Sequence, residues 1–157
     1  MINKNKKEKI KFFLSELFKQ SNIEKFEYVD LDDDDVNFFV TPRLTNKNKK
    51  NDIKLNLLIY CSGLKSLTVY CPKIYKLQNN DSTMFTLNAI NETNSTISLG
   101  KIYLNKVNNS VISYINQIIF DDITTDLSPE MMNEYIEAFL FCSIEFYEQM
   151  KKEEKYE

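Results

Sequence analysis

The spacing of hydrophobic residues predicts a helix near each end of the chain. Over residues 4–21, apolar side chains recur every three or four positions, with lysines and glutamates opposite them. The same spacing runs over residues 128–152, where Ser128 can cap the first turn and Pro129 suits the first helical position. Glu130 favours the positive end of the helix dipole. Each segment is therefore expected to pack one apolar stripe against a core.

Alternation of apolar and polar residues predicts the strands. The clearest strand covers residues 53–61, and one of its faces carries Ile53, Leu55, Leu57, Ile59 and Cys61. The other predicted strands cover residues 26–30, 36–44, 67–71, 97–104 and 111–120. Pro42 indicates an edge position or a bulge, and Pro72 is expected to end the fourth strand. The last two strands form a hairpin across Asn108-Asn109, since asparagine tolerates a positive φ.

The order of these elements predicts the fold class. A short amphipathic helix over residues 82–92 separates about four strands from the last two. The resulting order, helix, strands, helix, two strands, helix, is typical of an α+β fold in which helices pack on one face of an antiparallel-rich sheet. A chain of 157 residues fits one domain, so we expect residues 1–157 to fold together, with a frayed tail from 153 to 157.

Composition excludes most catalytic and ligand-binding classes. The chain has no histidine, which removes the commonest general base and rules out a Ser-His-Asp or Cys-His arrangement. Its two glycines form no nucleotide-binding fingerprint. The net charge is −3 and Arg43 is the sole arginine, so no nucleic-acid partner is expected. The sequence thus predicts a protein that is not an enzyme and needs no cofactor or metal.

The cysteines and the apolar runs predict the compartment. Cys61, Cys71 and Cys142 lie in apolar segments at irregular spacing, which favours buried free thiols, although a bond between Cys61 and Cys71 stays open. The charged N-terminal segment lacks the features of a secretory signal. No run approaches the roughly 20 apolar residues that span a bilayer. We therefore expect a cytoplasmic protein without a membrane partner.

Three charged loops are candidate sites with simpler alternatives. The run Asp32–Asp35 could hold calcium, but it lacks the spacing of a calcium loop, which favours a solvated hairpin turn instead. The same alternatives apply to the acidic residues between 121 and 126. Lys47, Lys49 and Lys50 could meet an acidic partner, or they could simply be solvated.

Several strands are apolar on both faces, which predicts a partner surface. Leu58 and Tyr60 lie opposite the core face of their strand, and the C-terminal hairpin has apolar residues at successive positions. A single layer of helices covers one face of a sheet, so the second face should bind a partner, unless a helix or a loop covers it. The candidate partner-binding residues are Leu58, Tyr60, Tyr70, Ile102, Leu104, Ile112 and Tyr114.

The C-terminal half resembles a known family. Leu87-x-x-Ile90-Asn91-x-x-Asn94 precedes the segment Gly100 to Leu104, the strand Val111 to Tyr114 and the Ser128-Pro129-Glu130 helix start. These segments and the element order resemble the YbjN-like family of bacterial sensory transduction regulators, which is similar in fold to type III secretion chaperones. The N-terminal strands and the loop at 47–50 depart from the pattern.

The resemblance implies a non-enzymatic dimer or adaptor that offers a sheet face or groove to another protein. Together with the two-faced strands, it predicts a homodimeric, chaperone-like or regulatory module that holds a partner polypeptide on an apolar-aromatic sheet surface. The alternative is an immunity or antitoxin-like inhibitor that binds one enzyme through its acidic loops, which would make binding strongly salt-dependent.

Overall fold

The computed structural model describes residues 4–44, 55–79, 81–105, 107 and 110–154. Within those residues the helices are α1 (Lys4–Lys19), α2 (Thr83–Thr96), α3 (Ile123–Asp126) and α4 (Pro129–Glu154). The strands are β1 (Ile23–Val29), β2 (Val36–Pro42), β3 (Leu57–Ser62), β4 (Ser66–Lys76), β5 (Lys101–Leu104) and β6 (Val111–Ile119). None of the helices in this part of the chain is both long and apolar enough to cross a lipid bilayer.

The six strands form one antiparallel sheet in the order β1-β2-β3-β4-β6-β5. The first four strands follow one another as a meander, and the C-terminal hairpin then pairs with β4 through β6. This arrangement places β1 at one edge and β5 at the other. The prediction of an α+β fold with an antiparallel sheet is confirmed.

Several predicted boundaries are wrong by a few residues. The strand predicted over 53–61 begins at Leu57, and residues 53–54 lie outside the described residues. The strand predicted from 97 begins at Lys101, because α2 continues to Thr96 instead of ending at 92. The last helix extends to Glu154, beyond its predicted end at 152, and residues 155–157 of the tail lie outside the described residues. The short helix α3 was not predicted, and the turn at 108–109 lies outside the described residues.

Pro72 does not end the fourth strand. It lies inside β4, where the register with β6 shifts between Cys71, opposite Tyr114, and Tyr75, opposite Ile112. The proline is tolerated because the strand bulges at this point and the ladder is interrupted there. The Ser113 hydroxyl donates a hydrogen bond of 2.7 Å to the Pro72 carbonyl, which satisfies that oxygen. The bulge lets β4 extend to Lys76.

The core lies between the sheet and the helices, on one side of the sheet. At the β1 end, Phe38 packs edge-on against Phe18 of α1 and against Phe26 and Tyr28 of β1, with ring centroids 5.2 to 6.0 Å apart. At the other end, Tyr114 of β6 packs against Phe139 of α4 at 5.1 Å. We call the side that carries Phe38 and Tyr114 the helix side.

Gly100 permits the close packing of Tyr114. Its φ is +78°, and a Cβ built on it would lie 2.5 to 2.7 Å from the phenol end of that side chain. The hydroxyl of Tyr114 donates to the Leu99 carbonyl at 3.2 Å, and burial raises the pKa of this phenol. The residue before β5 must therefore combine a left-handed backbone with no side chain.

All three cysteines are free and buried, so the expectation of buried thiols is confirmed. Cys61 pairs across the sheet with Leu67, whereas Cys71 pairs with Tyr114, so the two thiols are not cross-strand partners. Burial raises the pKa of Cys61 to about 12, that of Cys71 to about 11 and that of Cys142 to about 12.

We expect the folded protein to resist thiol reagents at pH 8. The thiolate is the reactive form, and raised pKa values together with burial keep it scarce and inaccessible. Reaction with an aromatic disulfide reagent should be roughly a hundredfold slower in the native protein than in denaturant, where the thiols become accessible. Rapid reaction of one thiol in the native protein would show that its burial is incomplete.

Candidate functional site

The side of the sheet opposite the helices carries a continuous row of side chains. Residues that face each other across antiparallel strands point to the same side, so the register defines this row. In strand order it consists of Glu27, Phe39, Leu58, Tyr70, Ile115 and Lys101. We call the row, together with Tyr60 and Tyr103 beside it, the open face.

The open face is apolar and aromatic in the middle and charged at its ends. Phe39 is 49% exposed, and Leu58, Tyr70 and Ile115 are half-buried. Among the described residues, a hydrophobic core cluster forms between the sheet and the helices, and none of these four side chains belongs to it. An apolar strip of this kind, four strands wide, is typical of a surface that binds another polypeptide.

A group of hydroxyls lies at the β5 end of this face. Burial, followed by hydrogen bonding to Tyr103, raises the pKa of the Tyr70 phenol. Ser113 is fully buried between the strands; besides its bond to Pro72, its hydroxyl accepts a bond from the Asn105 amide at 3.3 Å. The half-buried phenols of Tyr70 and Tyr103 provide donors and acceptors next to the apolar strip, so the surface can orient a ligand as well as exclude water.

At the other end of the face a groove runs beside β1. Its volume is about 630 Å³, and its lining includes Phe39, Thr41, Lys25 and Glu27. The exposed ring of Phe39 forms an apolar wall, while the two charged residues stand on the edge strand. The groove is large enough for one or two apolar side chains of a partner.

The two edges of the sheet differ in the backbone groups that they leave free. On β5, the Asn94 amide accepts from the Ile102 N–H at 2.9 Å and donates to the Ile102 carbonyl at 3.0 Å. Asn94 lies within α2, so it does not cap or turn the chain there. Its amide pairs with Ile102 as a neighbouring strand would. Among the strands that the structure describes, none pairs with the outer side of β1.

The structure divides the predicted partner-binding residues between the two sides of the sheet. Leu58, Tyr60 and Tyr70 lie on the open face, as predicted. The prediction is wrong for Ile102, Ile112 and Tyr114, which are buried on the helix side. Leu104 is half-buried on the same side.

The error follows from the pairing of β4 with β6. The regular pairing of the two strands sets Tyr114 opposite Cys71, on the helix side, and alternation along β6 places Ile112 on the same side, opposite Tyr75. Both faces of β6 are apolar, so alternation alone did not reveal which one the helices cover.

Three apolar or aromatic residues of the open face, Phe39, Ile115 and Tyr103, were not among the predicted partner-binding residues. Phe39 follows Phe38, and an adjacent pair of identical rings conceals which one is buried. Tyr103 was predicted to alternate with Ile102 and Leu104, and those two residues were chosen for the partner-binding face instead. The strand register assigns Phe39 to the open face, because Phe39 pairs with Glu27 on one side and with Leu58 on the other. This register is not visible in the sequence.

The first acidic run forms a turn held by its own side chains. The Asp33 carboxylate accepts from the Asp35 N–H at 3.1 Å and from the Asn37 amide at 3.0 Å. The Asp30 carboxylate accepts from the N–H of Asp32, whose φ is 55°. These carboxylates point back to the chain, which favours the reading of a solvated turn over a calcium loop.

The second acidic loop caps a helix. The Asp122 carboxylate accepts from the Thr124 N–H at 2.9 Å and from its hydroxyl at 2.7 Å, and these bonds lower the pKa of Asp122. The described part of the chain contains no cluster of three or more metal-ligating acidic, cysteine or histidine side chains. The basic loop with Lys47, Lys49 and Lys50 lies outside the described residues.

Comparison of the chain with protein-family models, with curated proteins and with solved structures finds no match. The resemblance to the YbjN-like family, and the bacterial and chaperone-like roles that it implies, therefore stay predictions.

Proposed function

We propose that this protein is a non-enzymatic binding module, a chaperone-like or regulatory adaptor that holds an apolar segment of a partner polypeptide on its open face. A cytoplasmic location and a homodimeric state belong to the same proposal. The observation that carries it is the row from Phe39 to Ile115, which is apolar across four strands and has no helix of the described chain packed on it.

The chemistry of the face indicates what kind of segment it accepts. Phe39 and Leu58 offer apolar area, which favours aliphatic or aromatic side chains in the partner. The hydroxyls of Tyr60, Tyr70 and Tyr103 can bond to the partner's backbone or polar groups without adding charge. Binding driven by apolar burial should therefore persist at high salt.

We expect the double substitution Phe39→Thr/Tyr60→Thr to weaken partner capture while the fold is retained. Both side chains lie outside the core, and threonine keeps a high propensity for strands. Loss of two aromatic anchors at the centre of an interface should lower the affinity roughly 30-fold or more. The measurement is capture of polypeptides by the tagged protein from the native lysate at low and high salt, compared with the variant.

Phe12→Thr is the matched control. Phe12 is 69% exposed on α1, and this helix packs on the helix side of the sheet, away from the open face. This variant should capture the same partner as the wild type. Equal capture by all three proteins would remove the open face as the binding surface. A partner that is lost from the wild type at high salt would instead favour the inhibitor that binds through acidic loops. Tyr114 is unsuitable for this test because it is a core residue.

A further inference from the structure

We propose that two copies of this chain join through their β1 strands, antiparallel and with Phe26 at the two-fold axis, into one continuous sheet. This inference rests on the homodimeric part of the proposed function and adds the interface. Its first basis is the difference between the two edges. On β5, the Asn94 amide is hydrogen-bonded to the N–H and the carbonyl of Ile102, whereas no described strand pairs with the outer side of β1.

The strand β1 has the regular geometry that pairing requires. It extends from Ile23 to Val29 and contains no proline. Its register with β2 is interrupted once, between Ile23 and Lys25, and is continuous from Lys25 to Val29. The regular part of this edge, from Lys25 to Val29, exposes a ladder of backbone donors and acceptors that a second strand can satisfy.

Symmetry restricts the register of such a pair. A two-fold axis perpendicular to the sheet places each residue opposite a residue of the partner on the same face. An axis at Lys25 would set this residue against the partner's Lys25, and an axis at Glu27 would set two glutamates against each other. With the axis at Phe26, Lys25 faces the partner's Glu27 on both sides of the axis.

The charges of β1 therefore select one register. Lys25 and Glu27 are both exposed on the open face, and neither has an ion-pair partner among the described residues. Opposite charges directly across antiparallel strands attract, and like charges in the same position repel. Only with the two-fold axis at Phe26 do the charges of Lys25 and Glu27 face opposite charges on the second copy of β1.

The helix side of β1 supports the same arrangement. Phe26 is half-buried, with its ring 5.4 Å from Phe18 in the core. In the proposed register, Phe26 lies opposite the partner's Phe26, so each ring covers area that a single copy leaves exposed. On the other side of the sheet, the grooves beside Phe39 in the two copies become neighbours, which extends the open face across the interface.

The test uses charge reversal and analytical ultracentrifugation of the full chain. The wild type should sediment as a dimer. Lys25→Glu places two glutamates opposite the partner's glutamates, and Glu27→Lys places lysines opposite lysines. Each variant alone should show a dissociation constant raised roughly 30-fold. An equimolar mixture of the two variants should dimerise again, because every facing pair is then of opposite sign. The double variant Lys25→Glu/Glu27→Lys should also dimerise.

Lys101→Glu is the matched control, because Lys101 is an exposed lysine of the open face at the opposite edge of the sheet. It should leave the dimer intact. The β1 interface would be overturned, while the homodimer itself stands, if neither single charge reversal changed the dissociation constant. The same holds if the equimolar mixture of the two variants did not dimerise. A wild type that is monomeric would overturn both, and partner capture by the open face would still be measured independently.

Discussion

Phe38→Ala should lower the free energy of unfolding by about 3–5 kcal/mol, the range measured for truncation of buried aromatic residues. Phe38 is 1% exposed and is the common neighbour of Phe18, Phe26 and Tyr28. Removing its ring leaves a cavity and eliminates three edge-on aromatic contacts at once. A loss of this size is a large part of the roughly 5–15 kcal/mol that stabilises a typical domain.

The neighbouring residue provides the control for this prediction. Phe39→Ala removes the same atoms from the same strand, but on the open face, where the ring is 49% exposed. We expect a change within about 1 kcal/mol, since no core cavity is created. Both values come from urea denaturation followed by circular dichroism. Similar losses for the two variants would mean that the open face is covered and that the assignment of sides is wrong.

Gly100→Ala should lower the free energy of unfolding by about 3 kcal/mol or more, through two separate effects. An L-residue at a φ of +78° is strained whatever surrounds it. The new methyl group would also meet the phenol of Tyr114, which is fixed by Phe139 and by its bond to the Leu99 carbonyl. The tyrosine cannot move away without breaking that packing.

Gly63→Ala separates the two effects. Gly63 has almost the same backbone angle, a φ of +76°, but nothing lies within 4 Å of its missing Cβ. It should cost only the strain, about 1 kcal/mol. The difference between the two variants, measured by denaturation under the same conditions, isolates the steric contact with Tyr114. Equal losses at both positions would show that Tyr114 can yield to the new methyl group.

Local pattern was sufficient to predict the six strands and the three longer helices, though not their exact ends or the short helix α3, and it assigned the residues of the strictly alternating strand β3 to the correct sides of the sheet. In β3, Leu57 and Ile59 are buried while Leu58 and Tyr60 face the other side, as the alternation predicts. The helices followed from their apolar stripes for the same reason. These features depend on neighbours within one turn or one pleat, which the sequence records directly.

The assignment failed where long-range pairing decides it. Both faces of β6 are apolar, so only its pairing with β4 shows which face the helices cover. The role of Asn94 was also hidden, since a hydrogen bond to Ile102 across a loop has no periodicity. Such features become visible only when the strand order is known.

The two hydrogen bonds between Asn94 and Ile102 would also limit how far the proposed association could proceed. A sheet with two free edges can add a chain at each, and every addition presents a fresh edge, so growth into fibres continues. Here one edge already has its hydrogen bonds at Ile102 satisfied from within the chain. Pairing at β1 would use up the remaining edge of both chains. In the proposed dimer, this one asparagine amide would favour a closed assembly over open-ended polymerisation.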